Sequence, residues 1–377
     1  MSDAPPPAGA SPAGAAPPAA PELVAREKFQ CPSCGAEAEW NPAKQKLVCP
    51  FCGTEAPAPA AAGQDAGAIV EHDLVAALRA IPDTARGWQA PKISVRCQSC
   101  QAISVFDAGT VGERCAFCGS TALVPYEQVK DAFRPESLLA LRIPESQARD
   151  TIRAWYGRQW LAPNRFRSRA LTDTVKGVYL PYWTFDAKAD ATWTAESGHH
   201  YWVQVGNQRV MRTDWRPASG AVSHVFDDEL VCASLGVDAG RLRQIEPFPT
   251  VDSLVPYDPK YLSGWTVEHY QIDLVAAAAR ARAGMNDELR QLCVRQIPGD
   301  TYRNLSVHAD FHDQTFKHIL APVWLLTYSY GARSFQVVVN GVTGRIAGSR
   351  PWSAIKVAGV VLLAVAVLIC FLYLQNR

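Results

Sequence analysis

A chain of 377 residues with a formal net charge of +1 has room for two or three domains and carries no global pull toward nucleic acid or acidic lipid. Eight of its eleven cysteines fall in two clusters, and Cys232, Cys293 and Cys370 are scattered singly. Thiolate clusters of this kind persist under reducing conditions, so both are expected to face the cytosol.

Residues 1–27 read as a disordered tail, because Ala/Pro repeats without large apolar residues cannot offset the entropy of ordering. The tail has neither the basic start nor the apolar core of a signal peptide. Residues 28–55 follow as a first ribbon, with Cys31, Cys34, Cys49 and Cys52 spaced C-x2-C-x14-C-x2-C. Each C-x2-C turn aims two thiolates at one metal, and the fourteen-residue gap suits a hairpin that brings the turns together. Four thiolates close a tetrahedral structural zinc site with no position left for water or substrate, the alternatives being a redox dithiol pair or an iron–sulfur centre. Residues 56–68 are an Ala/Pro linker, and residues 69–91 hold a short amphipathic helix (Ile69 to Ile81) and a connector, with Pro82 as the stop.

The second ribbon, residues 92–125, repeats the spacing with Cys97, Cys100, Cys115 and Cys118. Gly35, Gly53 and Gly119 follow three of the four turns, where positive φ is useful. Two rubredoxin-like ribbons of four cysteines each therefore predict two structural Zn2+ per chain. A module of about 25 residues buries little core alone, so metal supplies its folding free energy, on the order of 10 kcal/mol. Lys44 and Lys46 stand against Glu37 and Glu39, and Arg96 and Arg114 against Asp107 and Glu113. That balance does not suit a duplex-binding surface. Protein contact or structural support is the expectation, and nucleic-acid binding in aid of replication or transcription is the alternative.

Residues 134–351 change character to a Trp- and Tyr-rich, β-rich domain. Residues 138–143 suit a strand, and Pro144 opens a helix that runs on through Trp160. Seven arginines in residues 142–169 face only Glu145 and Asp150; a solvated helix face is expected there, with an anionic surface as the rival. An internal repeat then aligns Thr174–Trp183 without gaps on Thr315–Trp324, as T-φ-K-x-φ-φ-x-P-φ-W with φ apolar. It predicts two related units, about 170–230 and 305–350, or else two similar strands of one sheet. Each unit opens on a Pro-Trp strand expected at a sheet edge or a strand start. Turns are expected at Gly331-Ala332-Arg333 and Asn340-Gly341. Between the units Gln271 to Gln296 reads as a helix with Met285, Leu289, Leu292 and Cys293 inward and Gly284 as a weak point.

Residues 355–374 predict one transmembrane helix, with Val357 to Leu374 uncharged and long enough for a bilayer. Trp352 and Tyr373 sit near its ends. Arg345, Arg350 and Lys356 precede it, which keeps the N-terminal side cytoplasmic and predicts a tail-anchored protein of the inner membrane. The class is thus α+β and multidomain, with the ribbons projecting on flexible linkers.

No P-loop, H-E-x-x-H or G-x-S-x-G occurs, so no catalytic residue is assigned. His308, Asp310 and His312 would share one face of a strand, but Val307, Ala309 and Phe311 on the other face make ordinary half-buried alternation the expectation. His199-His200 and Asp227-Asp228-Glu229 read as loop or exposed-face residues.

The segments Gly177 to Ala187, Thr315 to Trp324 and Val337 to Pro351, with the ribbons and the tail, resemble a bacterial family of zinc-ribbon membrane proteins of unknown function. Its members are often labelled as related to the primosomal replication helicase. The resemblance implies the architecture above. The nucleotide site that a helicase requires has no counterpart here.

Overall fold

The structure is a computed structural model that describes residues 29–56, 69–80, 92–98, 102–107, 115, 117, 120, 123–125, 135–163, 175–330 and 333–375. The tail 1–27, nearly all of the linker 56–68, and Cys100 and Cys118 lie outside these residues.

In chain order the elements are β1 (Glu39–Asn41), β2 (Lys46–Val48), β3 (Glu55–Ala56), β4 (His72–Asp73) and α1 (Leu74–Ala80). Then come β5 (Lys92–Cys97), β6 (Ile103–Asp107), β7 (Leu123–Pro125), β8 (Ser137–Leu139), α2 (Glu145–Gly157), β9 (Lys176–Val205) and β10 (Gln208–Cys232). After these lie α3 (Ala239–Ile245), α4 (Thr250–Ser253), β11 (Leu254–Pro256), β12 (Thr266–Glu268) and α5 (Leu274–Gln296). The chain closes with β13 (Thr301–Tyr330), β14 (Arg333–Asn340), β15 (Ile346–Gly348) and α6 (Ala354–Gln375). The protein is thus α+β and β-rich, with a small sheet β1-β2-β3 and a large mixed sheet organised on the two 30-residue strands β9 and β13.

The sequence repeat is the centre of that sheet. The two copies pair with each other antiparallel, Gly177 opposite Trp324, Leu180 opposite Ala321 and Trp183 opposite His318, about a local two-fold axis. Beyond the repeated segment the symmetry continues. A short strand runs parallel to each copy at the equivalent place: β12 on Val178 and Tyr179, β8 on Ile319 and Leu320. Each short strand leads to a helix, and each helix to a long strand that turns back as β10 or β14. The repeat tryptophans bind equivalent carbonyls in front of those helices, Trp183 Nε1 to Ile272 O (2.9 Å) and Trp324 Nε1 to Ile143 O (2.8 Å). Two β-α-β-β units therefore build one sheet. Each begins at the short strand and helix before its repeat copy, so the units are wider than 170–230 and 305–350, and the helix expected between them belongs to the second.

The prolines of the repeat correct an expectation. Pro181 and Pro322 lie in interior strands, not at an edge or a start. Each carbonyl points away from the partner copy, accepting from Ala233 N or Gly341 N (both 2.9 Å), so each proline nitrogen faces the same side. There one neighbour ends and the next begins, β12 before β10 beside Pro181 and β8 before β14 beside Pro322. The missing N–H falls in the gap and costs no ladder bond.

Helix α5 starts at Leu274, later than the apolar pattern suggests, because Asp273 caps it by accepting from Ala276 N (2.8 Å). Leu274, Ala277, Ala281, Met285, Leu289 and Cys293 form its buried stripe against β9 and β10, and the helix runs unbroken through Gly284. Ala187, Ala189 and Ala191 line the same core as its buried stripe, and Gly220 makes room for its cross-strand partner Trp193, whose ring a Cβ there would meet at 2.7 Å.

Neither ribbon hangs free, which corrects the expected projection on linkers. Trp40 of the first is 5 % exposed, packs edge-on against Tyr261 with centroids 4.5 Å apart, and donates Nε1–H to Leu141 O. The second is woven into the large sheet, where β6 pairs with β12 and Phe117 is fully buried. Thr327 Oγ1 and Gln336 Nε2 both donate to the Phe117 carbonyl. In the arginine-rich stretch, Arg149 pairs with Glu145 and Arg153 with Asp150 along α2, which makes this part a charge-laced helix face. Helix α6 is long and apolar enough to cross a membrane, and its apolar window buries nothing against the rest of the chain.

Candidate metal centre

The first ribbon is two copies of one turn. Cys31 N donates to Ala36 O (2.7 Å) and Gly35 N to Cys31 O (2.9 Å); Cys49 N donates to Thr54 O (2.9 Å) and Gly53 N to Cys49 O (3.0 Å). Gly35 and Gly53 both have φ of +73°, which is why glycine follows each C-x2-C pair. The β1–β2 hairpin sets the turns face to face. Sγ of Cys31 lies 3.4 Å from that of Cys52, and Sγ of Cys34 3.5 Å from that of Cys49. All four sulfurs lie within 4.8 Å of one another. A zinc tetrahedron with Zn–S bonds of about 2.3 Å has edges of roughly 3.8 Å, so the four thiols fit one metal ion. Cys31 and Cys49 are buried and Cys34 and Cys52 exposed, which puts the centre at the surface of a small core of Phe29, Ala38, Leu47 and Ala56.

The thiols are not equivalent without metal. Cys52 is lowered to about 6, first by the Thr54 hydroxyl and then by the Thr54 backbone N–H. At Cys34 the Ala36 N–H lowers the value, but hydrogen bonds with Cys49 and Cys52 outweigh it and raise the thiol to about 12. Binding a cation must therefore expel protons, and metal is lost as pH falls.

In the second ribbon Cys97 N donates to Ala102 O (2.9 Å) and Cys115 N to Ser120 O (2.8 Å), the same bond across the same five-residue step. Both cysteines are buried. Their predicted co-ligands Cys100 and Cys118 lie outside the described residues.

Beside this turn lies Glu268, which no sequence motif marks. It is 1 % exposed, accepts from Gln271 Nε2 (2.8 Å), and its other oxygen has no hydrogen-bond partner among the described residues. Burial, against the opposing pull of Ser234 and Gln271 and with help from Cys115, pushes its carboxyl up to about 8. A raised carboxyl favours the neutral form, so its cost appears as pH rises above 4.5 and levels off near 8. Glu268→Gln should match the parent at pH 4.5 and exceed its stability by about 3 kcal/mol at pH 7. Urea titrations at the two pH values read this, and equal gains at both would refute it.

A second group of acids, Asp186, Asp227 and Asp228, also brings carboxylate oxygens within 4.8 Å. The reading of Asp228 as exposed is corrected here. A bulge between Phe226 and Glu229 turns Asp228 inward at φ +55°, where its N–H donates to Asp186 Oδ1 (2.6 Å). The cation in this group is Lys317, 6 % exposed, with Nζ 2.9 Å from Asp228, 3.0 Å from Glu71 and 3.8 Å from Asp186. Burial would lower its ammonium, but Asp228, Glu71 and Asp186 hold it well above the usual lysine range. Its repeat counterpart Lys176 is exposed. The repeat alone did not distinguish the two.

His308, Asp310 and His312 do share the solvent face of β13, while Val307, Ala309 and Phe311 pack against the core under α5. His308 and Asp310 stand 3.8 Å apart with side chains about four-fifths exposed, and the three do not gather about a point. His199 and His200 bond to Ser197 and Thr213.

No protein-family profile matches the chain, and no solved structure matches it. Among curated proteins the chain is similar to the uncharacterized protein YdjG of Bacillus subtilis (strain 168), with 24% identity over 238 residues that cover 63% of this chain and 70% of the relative.

Proposed function

We propose that this is a membrane-tethered, non-enzymatic zinc-ribbon protein that mediates protein interaction or assembly at the cytoplasmic face of the inner membrane. The observation that carries the reading is the closed four-thiol centre, all of whose donors come from the protein. A closed set leaves a zinc ion no position for substrate and makes it a staple. Two zinc ions per chain follow if Cys100 and Cys118 complete the second ribbon, and a zinc-ribbon family is the natural home of such a chain. The unpacked apolar α6 supports the tether. Arg345, Arg350 and Lys356 before it favour a cytosolic N-terminal side.

Crosslinking in native membranes followed by identification of partners tests the interaction. Binding of DNA or RNA at micromolar affinity or better, steeply lost with salt, would favour the nucleic-acid alternative instead. For the tether, Ala366→Arg should weaken insertion of α6 by about 2.5–3.5 kcal/mol. Carbonate extraction should then move the chain to the soluble fraction. Protease on vesicles with the cytosolic face outward should cut the ribbons, and protection there would reverse the orientation.

A further inference from the structure

Strands β10, β9 and β13 leave the body of the sheet as an arm, and its tip is the β9–β10 hairpin that turns at Gly206, φ +61°. Helix α5 covers one face of this arm as far as Trp193, whose Nε1 meets Gln296 Oε1 at the helix end (3.4 Å). Ala195 and Ser197 on that face are still buried, and the segment after α5 reaches His199; from Tyr201 onward the face has no cover among the described residues. Cross-strand partners share a face, so Val203 and Val210 lie on the α5 side with Tyr201 and Val205. Trp202 and Met211 pair on the opposite side. The tip thus exposes large apolar side chains on both faces, Trp202 64 %, Met211 51 % and Val205 51 %, among Gln204, Gln208 and the two arginines.

Its own charged side chains are arginines, and two acids border it, with Asp300 Oδ2 accepting from His200 N (2.7 Å) and Asp214 opposite His199. Residues 199–213 contain Arg209 and Arg212 and no Asp or Glu. Both arginines are exposed, and among the described residues neither forms an ion pair. A flat protein surface covers one face of a hairpin and leaves the other wet. A lipid interface surrounds it, takes Trp and Tyr at headgroup depth, and offers phosphates to arginine.

We propose that the hairpin tip, residues 199–213, is a membrane contact for an anionic lipid surface, separate from α6. This goes beyond the tether, and its two-bilayer geometry rests on α6 being the anchor. Helix α6 leaves from the other end of the sheet, where Lys356 Nζ binds the carbonyls of Trp160 (2.9 Å) and Ala162 (2.8 Å). Strand β9 covers up to about 95 Å from Lys176 to Val205 at roughly 3.3 Å per residue. That reach favours a second bilayer facing the one that holds the anchor.

The full chain in zwitterionic nanodiscs tests this, mixed with phosphatidylglycerol vesicles that carry a photoactivatable acyl chain. In a parallel sample the same lipid is placed in the nanodisc itself. Co-flotation with the vesicles and photolabel concentrated in residues 199–213 are expected. Label only in the parallel sample would place the tip on the anchoring bilayer and still support the lipid contact. Trp202→Asp with Met211→Asp should reduce label at least tenfold while circular dichroism and zinc content stay unchanged, since both side chains are exposed. Arg209→Gln with Arg212→Gln should abolish the preference for anionic over zwitterionic vesicles. No label at 199–213 in either sample, or undiminished label in the Asp variant, overturns the proposal.

Discussion

Cys34→Ser should remove one zinc ion per chain and also loosen the large sheet. Without the fourth thiolate the ribbon loses a metal contribution of about 10 kcal/mol or more, far above what its four-residue core supplies. The effect spreads because the ribbon is docked. Trp40 fills a socket of Leu141, Tyr261 and Leu262, and Ser263 Oγ donates to Ala38 O (2.8 Å) across the same seam. Losing a buried tryptophan costs about 3–5 kcal/mol, so the sheet should unfold earlier even with the second ribbon intact. Trp40→Ala isolates that part, because it should lower the denaturation midpoint with zinc stoichiometry unchanged. Zinc analysis and thermal melts on the two variants read both effects. A Cys34→Ser protein with full zinc, or one with lower zinc and an unshifted melt, would contradict the account.

Lys317→Met should cost about 3–5 kcal/mol, the usual penalty for removing one partner of a buried ion group. The Lys317 side chain is 7 % and that of Asp228 5 % exposed, so water screens the Asp228–Asp186 pair poorly, whereas Glu71 is half exposed. Asp228 and Asp186 would then face each other uncompensated; burial already raises the Asp186 carboxyl, and the variant removes the Lys317 charge that pulls it down. The deficit is therefore present above the unfolded carboxylate range and shrinks as pH falls toward about 4. In the parent, Lys317 is held above the ordinary 10.5, so its stabilisation is complete below that pH. Adding Asp186→Asn and Asp228→Asn to Lys317→Met should restore much of the loss. Denaturant titrations from pH 4 to 8 test this, and a deficit that grows on acidification would show the group is held together otherwise.

Features whose physics is local were legible along the chain. Cysteine spacing and the glycines after Cys34 and Cys52 specify two facing turns, because a C-x2-C turn needs positive φ at Gly35 and Gly53. Apolar periodicity specified α5 and α6, and the ten-residue repeat marked the two strands that turned out to pair. Groups that meet from distant positions were settled by the assembled fold alone. Lys317 and its exposed counterpart Lys176 sit in the same motif, and only a bulge in β10, with Glu71 from before β4, makes one of them a buried cation. Pro181 and Pro322 are tolerated inside a sheet because neighbouring strands end beside them, which no single strand's sequence records. The docking of Trp40 was likewise hidden: an indole in a small ribbon looks like its own core until the socket at Leu141 and Tyr261 is assembled. Backbone preferences act over a few residues and are written in order, whereas desolvated charge and shape complementarity depend on which surfaces the fold brings together.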